Sequence, residues 1–283
     1  MNAISLPSAA KINLLLNITG KRDDGYHDIE SLMQTVCFGD TVHISKAEGS
    51  QIVIESNRAD LPTDAGNIAY RAATLMQEQY GISCGFTIYL DKKIPVAAGL
   101  AGGSGNAAAV LHGINELCGL GLSMESLAQL GLRLGADVPF CLYGHPALAT
   151  GIGEILTPVT GLSNCYIVLV NPGVGVSTGL IYQSLDHGKL PEAGDAKALV
   201  SALSRGDLDA AFPEMKNMME PAAISYCPEI QDLIDRLRMV GADHAMMSGS
   251  GATCFGIFKK EPDEKELRSC FGNHLIAITK PQI

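Results

Sequence analysis

The chain reads as an α+β protein on three observations. Strand-patterned and helix-patterned runs are mixed irregularly along it, which favours segregated layers over a strictly alternating parallel sheet. A glycine-rich loop, Pro95-Val96-Ala97-Ala98-Gly99-Leu100-Ala101-Gly102-Gly103-Ser104-Gly105-Asn106-Ala107, opens directly into a helix-forming stretch. The 283 residues, 47% hydrophobic and 18% charged, supply core enough for one large domain or two medium ones.

Taken in order, Pro7-Ser-Ala-Ala-Lys-Ile-Asn-Leu14 is strand-like and carries a single lysine in an apolar setting. Ile12 to Ile18 is apolar but short and broken by asparagines, so it does not read as a signal peptide, and no run approaches a membrane span. Asp40–Ser45 and Gln51–Glu55 alternate as strands do. From Asn67 to Gln79 the positions Ile68, Ala72, Leu75 and Met76 share one helical face. Phe86–Leu90 is strand-like, and after the glycine loop Val110, Leu111, Ile114, Leu117 and Cys118 mark the buried face of a helix. Ser123 suits the N-cap of a helix over Met124–Leu134, with Gly135 as its stop. The uninterrupted apolar run Cys165–Val170 predicts a buried strand, turned at Asn171-Pro172-Gly173. Asp186–Gly194 reads as a loop, and Glu229–Val240 as an amphipathic helix ended by Gly241. A second glycine loop, Ser248-Gly-Ser-Gly-Ala-Thr-Cys254, leads into the strand-like Phe255–Phe258. The expected division is an N-terminal domain over 1–160 and a C-terminal domain over 161–283.

The first glycine loop carries the chemistry. Glycines admit positive φ and let a bulky anion approach the main chain, and a helix N-terminus adds unpaired N–H groups. No Gly-Lys-Ser/Thr follows, so it is not a Walker A loop. Gly103–Ala108 loosely fits a dinucleotide pattern, but Asp91–Val96 separates the glycines from their strand, which makes that fold the weaker fit. A net charge of −10 argues against non-specific nucleic-acid or anionic-membrane binding. Eight scattered cysteines with no Cys-x-x-Cys pair point to a reduced, cytoplasmic setting, and seven dispersed histidines show no metal spacing. Lys11 is either a strand-edge residue snorkelling to water or a buried cation paired with an anion. Asp137, in Leu134-Gly-Ala-Asp-Val-Pro-Phe140, is its candidate partner and equally a good helix N-cap.

Three segments in this order resemble the motifs of the GHMP small-molecule kinases: Ala10-Lys-Ile-Asn-Leu14, Pro95-x-x-x-Gly-Leu-x-Gly-Gly-Ser104 and Ser248-Gly-Ser-Gly-Ala-Thr253. Arg22-Asp-Asp-Gly-Tyr-His27, Leu134–Pro139, Gly151–Leu156 and Asn171–Val174 resemble the branch whose acceptor is a cytidine-diphosphate methylerythritol, over nearly the whole chain. The resemblance implies a two-domain fold, with a ribosomal-protein-S5-domain-2-like ATP domain followed by a ferredoxin-like α/β domain. It implies ATP and Mg²⁺ as cofactors, a small-molecule substrate, and neither nucleic-acid nor membrane partners. By the same resemblance Asp137 is the base and Lys11 its companion, and residues 95–107 wrap the triphosphate with Asn67 and Lys93 nearby. Asn13, Tyr26, His27, Thr178 and Tyr182 then face the acceptor. No metal-ligating side chain is implied. Kinases of homoserine, mevalonate or a sugar share the glycine loops but should lack the Tyr26, His27 and Tyr182 cluster. A non-catalytic regulator on the same fold would have no need of Lys11 and Asp137. This chain departs from many relatives at Ala101 and Gly105, where they read glycine and serine, and at Tyr182, where some read phenylalanine.

Overall fold

A computed structural model describes residues 2–185 and 190–282. It forms two compact units, each discontinuous in sequence. The first comprises residues 1–10, 39–94 and 101–144, the second residues 11–38, 95–100 and 145–283.

Two long strands, β1 (Ala3–Lys21) and β2 (His27–Ala47), contribute to both units. In the first unit, Thr41–Ala47 of β2 pairs antiparallel with β4 (Gly85–Asp91), and β3 (Ile52–Ser56) runs parallel to β4. A parallel pair needs a crossover, and α1 (Ile68–Tyr80) supplies it. Asn67 caps α1 by accepting from the Ala69 N–H, and Gly81 ends it at φ 63°. Next come α2 (Gly102–Cys118), α3 (Met124–Leu132) and α4 (Val138–Tyr143). Ser123 caps α3 as expected, but the helix stops at Leu132, short of Gly135, which instead donates to the Gly131 carbonyl. The core joins Ala72 and Met76 of α1, Val110, Leu111 and Ile114 of α2, and Phe86 and Ile88 of β4.

In the second unit, β5 (Ala147–Thr150) pairs with Ser31–Met33 of β2 and with β6 (Ile155–Pro158). β7 (Tyr166–Asn171) is the predicted apolar strand, and the Asn171 side chain accepts from the Gly173 N–H to form the turn. Four helices, α5 (Thr178–Leu185), α6 (Ala196–Ser204), α7 (Leu208–Ala211) and α8 (Glu220–Tyr226), precede α9 (Glu229–Met239). β8 (His244–Met247), β9 (Cys254–Phe258), α10 (Glu264–Phe271) and β10 (Leu275–Thr279) complete the chain. The antiparallel sheet runs β10-β7-β9-β8, and Ile230, Leu233, Ile234 and Leu237 of α9 lie in its core with Val168, Val170, Cys254 and Phe258. Of the predicted loop Asp186–Gly194, residues 186–189 lie outside the described residues, and 190–194 are irregular. Among the described residues no helix is long and apolar enough to cross a membrane.

Candidate active site

Between β4 and α2 the backbone enters the left-handed region three times, at Ala97 (φ 52°), Gly99 (φ 75°) and Ala101 (φ 56°). Left-handed positions interleaved with ordinary ones are how a main chain makes an anion-binding concavity. Two of the three are alanines, which adopt this region at a steric cost that glycine escapes. Residues 95–100 belong to the second unit and 101–107 to the first. Ala101 stands at the N-cap of α2 with no side-chain cap, and the first turn holds no acidic residue. Gly105 N–H donates to the Ala101 carbonyl at 2.8 Å, which leaves the N–H groups of Gly102, Gly103 and Ser104 ahead of the ladder. An uncapped 17-residue helix with no carboxylate in its first turn suits an anion.

The second glycine loop is the floor of the first. Ser248 Oγ donates to the Gly99 carbonyl at 3.0 Å, and Thr253 N–H reaches the Ala98 carbonyl at 3.3 Å. A Cβ on Gly99 would fall 2.2 Å from the Ser248 carbonyl oxygen, so glycine is required there for close approach as well as for φ. Asn171 holds Thr253 Oγ1 at 2.9 Å, and Asn217 donates to the Met247 and Gly249 carbonyls at 2.9 and 2.8 Å. The sequence singled out this loop as a motif but no residue in it as a site residue.

β1 passes beside the same loop, with Lys11 N–H donating to the Leu100 carbonyl at 3.1 Å. Lys11 is 5% exposed, so the snorkelling alternative fails. Its Nζ donates to Asn13 Oδ1 at 2.6 Å, Asn13 Nδ2 to Ser31 Oγ at 2.8 Å, and Ser31 Oγ to the Leu15 carbonyl at 2.7 Å. The chain of bonds fixes the ammonium and the amide together. Ser31 is thus a supporting residue that no sequence pattern indicated.

Tyr26 sits in the turn between β1 and β2, where Arg22 N–H donates to the Tyr26 carbonyl at 2.8 Å and Tyr26 N–H to Asp24 Oδ1 at 3.0 Å. Tyr26 is 61% exposed, which leaves its aromatic side chain open to a ligand. His27 begins β2, is buried, and stacks on Tyr182 of α5 with centroids 4.9 Å apart and planes 20° from parallel. Thr178, at the start of α5, shares a 2.7 Å hydroxyl hydrogen bond with Ser250 of the late glycine loop.

The remaining sequence candidates lie in the first unit. Asp137 occupies the N-cap of α4, but its side chain makes no cap hydrogen bond. The position is a cap, yet the carboxylate does not serve as one. Asn67 divides its amide between Ala69 N–H and the Pro62 carbonyl, and Lys93 is exposed. Asn106 turns inward, donating to Ser8 Oγ and Asp40 Oδ2 and accepting from Lys92. A serine at Gly105 would bring its Cβ within 2.6 Å of Ser8 Oγ, which explains the departure from the relatives' pattern.

The description "GHMP kinases N terminal domain" matches residues 67–145, and "GHMP kinases C terminal" matches residues 199–277. The 4-diphosphocytidyl-2-C-methyl-D-erythritol kinase of Alkaliphilus metalliredigens (strain QYMF) is 45% identical over 92% of this chain and 89% of its own. The chain belongs to that kinase family. A crystal structure of a 4-(cytidine 5'-diphospho)-2C-methyl-D-erythritol kinase superposes with a TM-score of 0.77 at 31% identity, covering 98% of this chain and 99% of that one. Homoserine kinase from Cytophaga hutchinsonii reaches a TM-score of 0.76 at 20% identity, covering 99% of this chain and 95% of its own, and shares the fold alone. The two-domain α+β GHMP kinase fold expected from the sequence is the one observed, and with it a kinase, an enzyme that uses ATP.

Proposed function

We propose that this protein transfers the γ-phosphoryl group of ATP to the 2-hydroxyl of 4-diphosphocytidyl-2-C-methyl-D-erythritol, a step towards isoprenoid precursors. The observation that carries this reading is the 45% identity over 92% of the chain to a kinase of that name. The buried Lys11–Asn13 pair, the His27–Tyr182 stack and the exposed Tyr26 that precedes His27 agree with it. Flat aromatic faces suit a pyrimidine base, and the histidine can read its polar edge.

In the reaction the acceptor oxygen bonds to the γ-phosphorus, the bond from that phosphorus to the ADP oxygen breaks, and the hydroxyl proton goes to the Asp137 carboxylate. Lys11 supplies the compensating cation and Asn13 orients the acceptor. The backbone N–H groups of residues 95–107 and the Ser104 hydroxyl receive the triphosphate. Positioning and fixed donors supply most of the acceleration in such a transfer. A magnesium ion would be carried mainly by the triphosphate itself rather than by a dedicated protein cage. Bound there, it would neutralise charge on the transferring group. Among the described residues no three His, Cys, Asp or Glu side chains gather into a cage of their own. All eight cysteines are free thiols, which supports a cytoplasmic setting.

Asp137→Asn tests the chemistry. Asparagine keeps the size and shape of the aspartate and can still sit at a helix start, so the variant should fold and bind both substrates. Its kcat should fall on the order of 10²-fold or more, as loss of a general base predicts. Near-normal turnover would remove Asp137 from the mechanism.

A further inference from the structure

The first unit buries a charged cluster that the chemistry above does not use. Asp40 and Lys92 are 2% and 9% exposed. Asp40 Oδ1 accepts from the N–H groups of Lys93 and Ile94 at 2.7 and 2.8 Å, the two residues that lead into the glycine loop. Its Oδ2 accepts from Lys92 Nζ and, at 3.0 Å, from Asn106 Nδ2 in the opening turns of α2. Lys92 Nζ donates also to Asn106 Oδ1 at 2.9 Å, and Asn106 Nδ2 to Ser8 Oγ at 3.0 Å. A Cβ on Gly102 would stand 3.2 Å from Lys92 Nζ, so the ammonium lies directly against the first turn of the helix.

Burying two charges is expensive, and well-packed apolar residues of similar volume are often as stable. What hydrocarbon cannot do is bind the strand exit and the helix start to one carboxylate. The Lys92 charge is matched by Asp40, so the pair adds little net field for a phosphate. Its contribution is geometric. We propose that Asp40, Lys92 and Asn106 are positioning residues for the nucleotide, a polar clasp that ties the entry of the glycine loop to the N-terminus of α2 and thereby fixes the N–H groups of Gly102, Gly103 and Ser104. This rests on the reading of residues 95–107 as the phosphate loop.

The test is steady-state kinetics on three variants, with thermal melting of each. Asn106→Ala cuts the tie to α2 but leaves the ion pair and both Asp40–backbone bonds, so it should fold. The double variant Asp40→Asn/Lys92→Met removes both charges and strands neither. In both, KM for ATP should rise about tenfold or more while KM for the acceptor stays within about twofold, because only the nucleotide's cradle is loosened. An unchanged KM for ATP in Asn106→Ala would overturn the proposal, as would equal rises in both KM values tracking the melting temperature. Gly103→Asp is the control for the underlying reading. Its Cβ has room, with Ile68 Cγ2 the nearest atom at 3.4 Å, and it sets a carboxylate in the cradle. If it weakens ATP while the clasp variants do not, the clasp is wrong and the phosphate loop stands. If Gly103→Asp also leaves ATP binding intact, the phosphate-loop reading fails as well.

Discussion

Lys11 and Asn13 stand in a strand whose neighbours Ile12, Leu14 and Leu15 are wholly buried. Polar groups persist there because each is bonded onward, through Ser31 to a backbone carbonyl. Ala101 and His244 show strain and an unmet need in turn. Ala101 holds φ 56° and ψ 28°, a left-handed conformation. Ala101→Gly should therefore raise unfolding stability by about 1 kcal/mol, the left-handed penalty less the added flexibility of glycine. Denaturant unfolding measures this, and a drop in stability would show that the backbone relaxes elsewhere. His244 stacks on Phe212, and its buried Nε2 has no hydrogen-bond partner. Burial, helped by the nearby Arg238, pushes its pKa down from 6.5 to about 4. The unfolded chain takes up this proton below about pH 6.5 and the folded one only below about pH 4, so stability falls as pH drops through that window. The loss is on the order of 3 kcal/mol. Unfolding free energies at pH 7.5 and 4.5 should differ less in His244→Phe, and an equal slope would assign the loss to other groups.

Among the elements, those with a continuous local pattern were legible. The apolar stripe of α2 and the face of α9 follow from spacing, and the four buried positions Ile167 to Val170 of β7 from an unbroken apolar run. The strand continues one residue further, through Asn171, which the sequence placed in the turn. The extent of β1 and β2 was not legible, because Asn13 and Asn17 break the apolar run and find their partners far along the chain, at Ser31 and Gly194. The clasp was invisible for the same reason: Asp40 and Lys92 are 52 positions apart, and nothing in a Lys-Lys pair says which member turns inward. The floor formed by the late glycine loop was likewise hidden, though its motif was plain. Gly99→Ala probes that floor. With φ 75° and a Cβ 2.2 Å from the Ser248 carbonyl, the main chain must shift. We expect a stability loss of about 2 kcal/mol or more and a weaker grip on ATP, read by melting and nucleotide titration. A wild-type melt would mean that the two loops can separate.

For the whole molecule, the fold alone leaves the acceptor open, since a homoserine kinase superposes almost as well as a cytidyl-methylerythritol kinase. The choice between them rests on sequence identity and on the aromatic residues of the second unit, Tyr26, His27 and Tyr182. The proposed acceptor, with its cytosine base, would give that group a role beyond packing. The most direct measurement is ADP release by the purified protein with 4-diphosphocytidyl-2-C-methyl-D-erythritol, set beside methylerythritol phosphate lacking the cytidine, mevalonate and homoserine. The account predicts turnover with the first and at least about a hundredfold lower kcat/KM with the others, the scale of two aromatic contacts to a base. Comparable turnover of homoserine or mevalonate, or indifference to the cytidine, would contradict it.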